Sequence, residues 1–168
     1  SYMDILKAID EACEGRHFQE FRDINELPED SGRRVLTTGG HYGYLKIAEG
    51  CDKHCTYCII PSLRGRFRSV PQERLIAQAE HMAEQGVKEL ILVAQETTMY
   101  GTDLYGKKTL HLLMKELCKI KGIRWIRVLY CYPEEIYDEL IQVMKEEKKI
   151  CHYLDLPIQH ASDRILKR

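Results

Sequence analysis

The sequence predicts an α/β fold built on a parallel sheet. From Tyr44 onward, short apolar segments of strand length alternate with longer segments of helical periodicity. Glycines close two of the helical segments, at Gly86 and Gly122. Four strands separated by three helices fit right-handed crossovers between parallel neighbours. This pattern suits an open sheet and a portion of a barrel equally. In both, ligands gather at the carboxyl ends of the strands.

The first strand is expected at Tyr44–Ala48 and leads directly into a cysteine-rich loop. A helix follows over about Pro71–Gln85, with Leu75, Ile76, Ala79, Met82 and Ala83 on one face. Ser69 and Gln72 have capping-box spacing at its start. The apolar run Glu89–Ala94 reads as a strand buried on both faces. A polar loop, Gln95–Lys107, precedes a helix carrying Leu110, Leu113, Met114, Leu117 and Ile120. Trp125–Tyr130 is the third strand, and Pro133 opens a helix with Ile136, Leu140, Val143 and Met144 inward. Cys151–Leu156 is the fourth strand, and Asp163–Arg168 begins another helix. Ahead of all this, residues 1–40 differ in character: Met3–Cys13 forms a short amphipathic helix and residues 14–40 read as a linker.

At 168 residues, with 44% hydrophobic and 30% charged residues, the chain has the composition of a globular domain. No apolar stretch reaches bilayer length, so a membrane partner is not expected. Seven cysteines, three of them clustered, fit a reducing compartment, hence the cytoplasm, rather than a disulfide framework. A net charge of −1 argues against nucleic acid as a partner of this stretch. The charge is uneven: residues 33–68 hold seven Lys/Arg, whereas residues 134–147 hold six acids and one lysine.

The chemistry centres on Cys51, Cys55 and Cys58 in the run EGCDKHCTYC. Their C-x3-C-x2-C spacing brings three thiolates to one loop. Structural zinc takes four protein ligands, and no second Cys or His pair of zinc-finger spacing follows. A four-iron, four-sulfur cluster on three cysteines keeps one iron open to an outside ligand. A zinc loop completed by His54 or a distant residue is the competing reading, in which the module is a non-catalytic scaffold.

The segment KIAEGCDKHCTYCIIPSLRGRFRS resembles the radical S-adenosylmethionine (SAM) enzymes, and within them the methylthiotransferases, whose motif carries an aromatic residue where Tyr57 stands. VAQETTMYG, YCYP and YLDLPIQHAS are most similar to the RimO branch, which modifies an aspartate on a small-subunit ribosomal protein. The alternative branch acts on a tRNA adenosine. The resemblance covers about Leu36–Arg168 and implies a partial (β/α) barrel of four βα units, occupying residues 41–168 as its N-terminal portion. It implies that residues 1–40 are a linker with the last helix of a domain missing from this chain, and that this domain carries a second 4Fe-4S cluster.

The resemblance further implies that Cys51, Cys55 and Cys58 hold a 4Fe-4S cluster whose open iron binds S-adenosylmethionine. One-electron cleavage of the cofactor then yields a 5′-deoxyadenosyl radical, with an electron donor protein as a further partner. Tyr57 is expected against the adenine, Gln95 and Glu96 near the cofactor's amino group, and Arg127 and Gln159 as further cofactor contacts. No general acid or base is assigned. Lys46, inside a strand, is a candidate for a polar interior, and Arg64, Arg66, Arg68 and His160 are weaker candidates at the active end. Cys131 and Cys151 read as small core residues.

Overall fold

The computed structural model describes residues 4–27, 36 and 39–166. Arg33, Arg34, Met3 and the end of the last helix, Lys167–Arg168, lie outside the described residues. In chain order the elements are α1 (Ile5–Cys13), β1 (Tyr42–Lys46), β2 (Ala48–Glu49), α2 (Ile60–Arg64), β3 (Arg68–Ser69), α3 (Gln72–Glu84) and β4 (Glu89–Val93). Next come α4 (Thr102–Tyr105), α5 (Leu110–Cys118), β5 (Trp125–Val128), α6 (Asp138–Glu146), β6 (Ile150–Leu154) and α7 (Asp163–Leu166). The four longer strands form one parallel sheet in the order β1-β4-β5-β6, so each neighbour in the chain is a neighbour in the sheet. Among the described residues the sheet does not close into a barrel; it is an open sheet of four βα units.

The core lies between this sheet and α3, α5 and α6. Leu75, Ala79 and Met82 recur at helical spacing on α3, as do Leu110, Leu113, Met114 and Leu117 on α5 and Leu140, Val143 and Met144 on α6. They meet Leu45, Leu90, Leu92, Ile126, Val128 and Ile150 from the strands. Only one face of the sheet is covered in this way. Leu90 and Leu92 are fully buried while Glu89, Ile91 and Val93 are half-buried, so the expectation of burial on both faces of this strand is corrected. The uncovered face carries Tyr44, Trp125 and Tyr153, all exposed, and the Glu89–Arg127 ion pair at 2.6 Å.

Other expectations also shift. β1 starts two residues early at Tyr42, and Ala48 belongs to β2, which pairs antiparallel with β3. The capping box is absent: α3 is preceded by Pro71 without a side-chain cap. Ser69 is turned instead toward Asp103, donating from Oγ at 2.6 Å. Pro133 opens a 3-10 turn, Pro133–Glu135, and Ile136 is extended, so α6 begins only at Asp138. The loop Gln95–Lys107 contains α4 and buries Glu96, Thr97, Thr98 and Tyr100. Cys131 is buried as expected, while Cys151 is half-buried. Along α1, Ile5, Leu6 and Ile9 are exposed, so its apolar stripe covers no core among the described residues.

Candidate functional site

β2 and β3 form a two-residue ribbon, and the cysteine loop is the stretch between them. Gly50 opens the loop at φ 81°, and a Cβ there would stand 2.0 Å from the Arg66 carbonyl oxygen, so only glycine fits this crossing. The Gly50 N–H donates to Gln95 Oε1 at 2.9 Å, and the Cys51 N–H donates to the Gly65 carbonyl at 3.2 Å. The Phe67 N–H donates to Asp52 Oδ1 at 3.1 Å. Arriving and departing arms are thereby tied to each other and to the end of β4. Between them, the Cys58 N–H donates to the Cys55 carbonyl at 2.9 Å, which folds the C-x2-C pair into a turn.

All three thiols are free and half-buried. Burial pushes the Cys51 thiol up, and the nearby Glu96 carboxylate and the Cys55 and Cys58 sulfurs add to this; the Lys53 N–H, 3.5 Å from Cys51 Sγ, works the other way. Such a thiol waits for a cation to become a thiolate. Among the described residues no three His, Cys, Asp or Glu side chains converge as ligands of one metal ion. A single tetrahedral zinc at Zn–S of about 2.3 Å brings its sulfurs within about 3.8 Å of one another. An iron–sulfur cube takes one thiolate at each of three separate irons.

The carboxyl ends of all four strands meet around this loop through side-chain ties. Past β1, Gly50 is held by Gln95 beyond β4. Thr97 reaches across to β5's end, with its Oγ1 donating to Leu129 O at 2.8 Å and its N–H to Tyr130 O at 3.1 Å. Tyr130 sits in the left-handed region at φ 58° and is fixed there by Asp155, which follows β6 and accepts its N–H at 3.0 Å. Lys53 pairs with Glu135 and stands 4.6 Å above the Tyr132 ring. Lys108 completes this cluster at 2.8 Å from Glu135. Tyr57, at the tip of the loop, donates to Gln159 beyond β6.

Each expected site residue therefore has a definite place. Tyr57 and Gln159 are brought together, both exposed. Gln95 faces the loop's first turn. Glu96 is 4% exposed and accepts from the Thr98 N–H at 3.0 Å, the Thr98 hydroxyl and the Tyr132 N–H at 3.4 Å. Burial pushes its carboxyl above the usual range, although these donors oppose the shift. With Cys51, Asp52, Lys53, Phe67 and Met99 it lines a cavity of about 140 Å³. Arg127 is drawn toward the amino end of the sheet by Glu89, the first residue of β4, with its guanidinium 5.2 Å from the Tyr153 ring centroid. Lys46 pairs with Glu49, and His160 Nδ1 accepts the Ser162 N–H at 2.8 Å. Lys53, Asp155, Glu135 and Asp103 escaped the sequence reading. The two acids in YPEE, following an aromatic strand end, were the one local signal for Glu135.

Residues 45–168 match the Radical SAM superfamily. Two relatives named ribosomal protein uS12 methylthiotransferase RimO are 64% identical over 168 residues in Lachnoclostridium phytofermentans and 54% identical over 167 residues in Clostridium botulinum Eklund 17B. They cover 100% and 99% of this chain, which spans 38% and 37% of their own lengths. Among solved structures, the radical S-adenosylmethionine methyltransferase TsrM of Kitasatospora setae superimposes with a TM-score of 0.58 at 16% identity, over 76% of this chain and 23% of TsrM. At that identity the likeness concerns the fold. With the cysteine loop at the head of a parallel βα arc and the family match over most of its length, the chain belongs to the Radical SAM superfamily.

Proposed function

We propose that this chain is the cofactor-cleaving part of a radical SAM methylthiotransferase acting on an aspartate of ribosomal protein uS12. The observation that carries the reading is the 64% identity with a uS12 methylthiotransferase over all 168 residues of the chain. Cys51, Cys55 and Cys58 are the residues to hold a 4Fe-4S cluster, which supplies one-electron reductive cleavage of S-adenosylmethionine. The loop keeps these thiols together through Gly50, Gln95 and Gly65. Tyr57 and Gln159 close one side of the site and offer a ring face and an amide to a purine nucleoside. Glu96, buried beside Cys51, is an acceptor suited to an ammonium group. Arg127, held by Glu89, orders the exposed face of the sheet and reaches the cofactor only if that pair opens.

Residues 41–168 serve as the N-terminal portion of the barrel, and residues 1–40 connect it to a domain with a second 4Fe-4S cluster that takes part in sulfur transfer. An electron donor protein completes the set of partners, and the cytoplasm is the proposed compartment. No helix among the described residues is long and apolar enough to cross a membrane.

Anaerobic reconstitution with iron and sulfide tests the reading. The expected result is a broad visible absorption band and, with reductant and S-adenosylmethionine, release of 5′-deoxyadenosine. Both disappear in the Cys51→Ala/Cys55→Ala/Cys58→Ala variant. Stoichiometric zinc without iron uptake overturns it in favour of a scaffold. For the substrate, a methylthio mass gain on uS12, and none on tRNA, is expected.

A further inference from the structure

The stretch before β1 does more than connect. Residues 23–25 form a turn in which Asp23 Oδ1 accepts the Asn25 N–H at 2.9 Å and the Asn25 Nδ2–H at 3.0 Å. This fixes the Asn25 amide so that its oxygen faces the cysteine loop, where it accepts the Arg66 N–H at 3.0 Å. One residue earlier, the Ile24 carbonyl accepts from Arg68 Nη2 at 2.9 Å. The same nitrogen donates to the Arg64 carbonyl at 3.0 Å, and Arg68 Nη1 donates to the Arg66 carbonyl. One guanidinium thus gathers three carbonyls, two from the loop's departing arm and one from the upstream turn. Gly65 lies between them, buried, at φ 72°; a Cβ there would fall 2.6 Å from Asn25 Oδ1 and 3.1 Å from the Ile24 carbonyl.

Gly65 and Arg66 are also the residues that shape the first cysteine. The Gly65 carbonyl accepts the Cys51 N–H, and the Arg66 carbonyl packs on Gly50. We propose that the Asp23–Asn25 turn is a strap whose contacts with Gly65, Arg66 and Arg68 position the cysteine loop. Asn25 and Arg68 are then positioning residues for the cluster thiols, acting through Gly65 and Arg66. The inference that this affects cluster retention rests on the function proposed above, whereas the positioning itself does not.

The experiment separates the two. In the metal-free intact protein, amide hydrogen exchange is followed across residues 50–67 for the wild type, Asn25→Ala and Gly65→Ala. Arg22→Ala is the control: it lies in the same segment and pairs with Asp4 at 2.7 Å, away from the loop. Asn25→Ala and Gly65→Ala should speed exchange at Cys51 and Arg66 roughly fivefold, with exchange in β4 and β5 unchanged and Arg22→Ala like the wild type. Unchanged loop exchange in Asn25→Ala, or equal acceleration in Arg22→Ala, overturns the strap. After iron–sulfide reconstitution the same variants should lose iron to a strong chelator roughly fivefold faster than the wild type. A wild type that takes up no iron refutes the functional reading, while the exchange result still decides the strap.

Discussion

The loops that follow β1 and β4 both leave the carboxyl edge of one sheet, yet they are built in opposite ways. Between Gln95 and Gly101 the chain turns inward: Glu96, Thr97, Thr98 and Tyr100 are all at or below 4% exposure. Its polar groups bond within the loop, to Leu129 and Tyr130 just past β5, and to Ser69 and Val70 ahead of α3, and Tyr100 is fully buried beneath it. The cysteine loop between Gly50 and Phe67 instead keeps Tyr57, Ile59 and Leu63 at more than 60% exposure. It borrows its fixed points from elsewhere, through Gln95, Glu135, Asn25 and Arg68. A loop that packs itself is part of the folding unit, whereas one held at its ends remains free to take its final shape from a ligand. The difference assigns stability to the second loop and, on the function proposed above, leaves chemistry to the first.

The most severe way to break this division is to empty the second loop. Tyr100 is completely buried, and its hydroxyl donates to the Val70 carbonyl at 2.9 Å. Tyr100→Ala should cost about 3–5 kcal/mol of unfolding free energy. Tyr100→Phe, which keeps the ring and loses one hydrogen bond, should cost about 1 kcal/mol. Urea denaturation of the metal-free protein measures both. An alanine variant within 1 kcal/mol of the wild type would show that this loop is no more part of the core than the cysteine loop.

That contrast also explains what was legible in the sequence. The strands and the apolar helix faces come from local periodicity, and Leu75, Ala79 and Met82 or Leu110, Leu113 and Met114 occupy the predicted core positions. The cysteine loop was legible because its chemistry lies within eight consecutive residues. Its supports were not, since Lys53 meets Glu135 from 82 residues away and Arg66 meets Asn25 from 41. Pairings of that kind depend on strand order and register, which no periodicity encodes. For Glu89–Ala94, composition alone gave burial on both faces, although the helices cover only one. At Ser69, capping spacing was present, but Asp103 offers a carboxylate that takes both its N–H, at 2.8 Å, and its hydroxyl. Gln95–Lys107 reads from sequence only as a polar loop, and its polarity does not reveal that Thr97 and Thr98 are buried with their hydroxyls bonded to Leu129 and Glu96.

Glu96 sharpens the comparison at its boundary, since it belongs to the packed loop and faces the reactive one. Burial raises its folded-state pKa above the unfolded value. The native state therefore holds the proton more tightly than the unfolded state. Stability of the metal-free protein should fall as pH rises from the unfolded Glu value toward the folded one, and level off above it. The slope from this single group is at most about 1.4 kcal/mol per pH unit. Glu96→Gln, which keeps an oxygen acceptor for Thr98 and Tyr132, should remove that contribution. Identical pH profiles for the two proteins would mean that Glu96 is ionised in the fold without cost.

The smallest expected effect falls at the contact between the two loops. Gln95 Oε1 accepts the N–H of the buried Gly50, one residue ahead of the first thiol. Gln95→Ala leaves that N–H without its partner and should destabilise the loop by about 1 kcal/mol, with little effect on the self-packed segment after it. Gln95→Glu retains an acceptor and should behave like the wild type in iron retention. A purely cofactor-binding Gln95 gives another pattern: KM for S-adenosylmethionine rises in the alanine variant while iron is kept as well as before. A several-fold faster loss of iron at nearly constant KM places the residue with the supports of the cysteine loop. Since one amide oxygen already spans the gap between the end of β4 and Gly50, the support role needs no rearrangement of the observed geometry, and the second lone pair of Oε1 is what a cofactor donor would have to use.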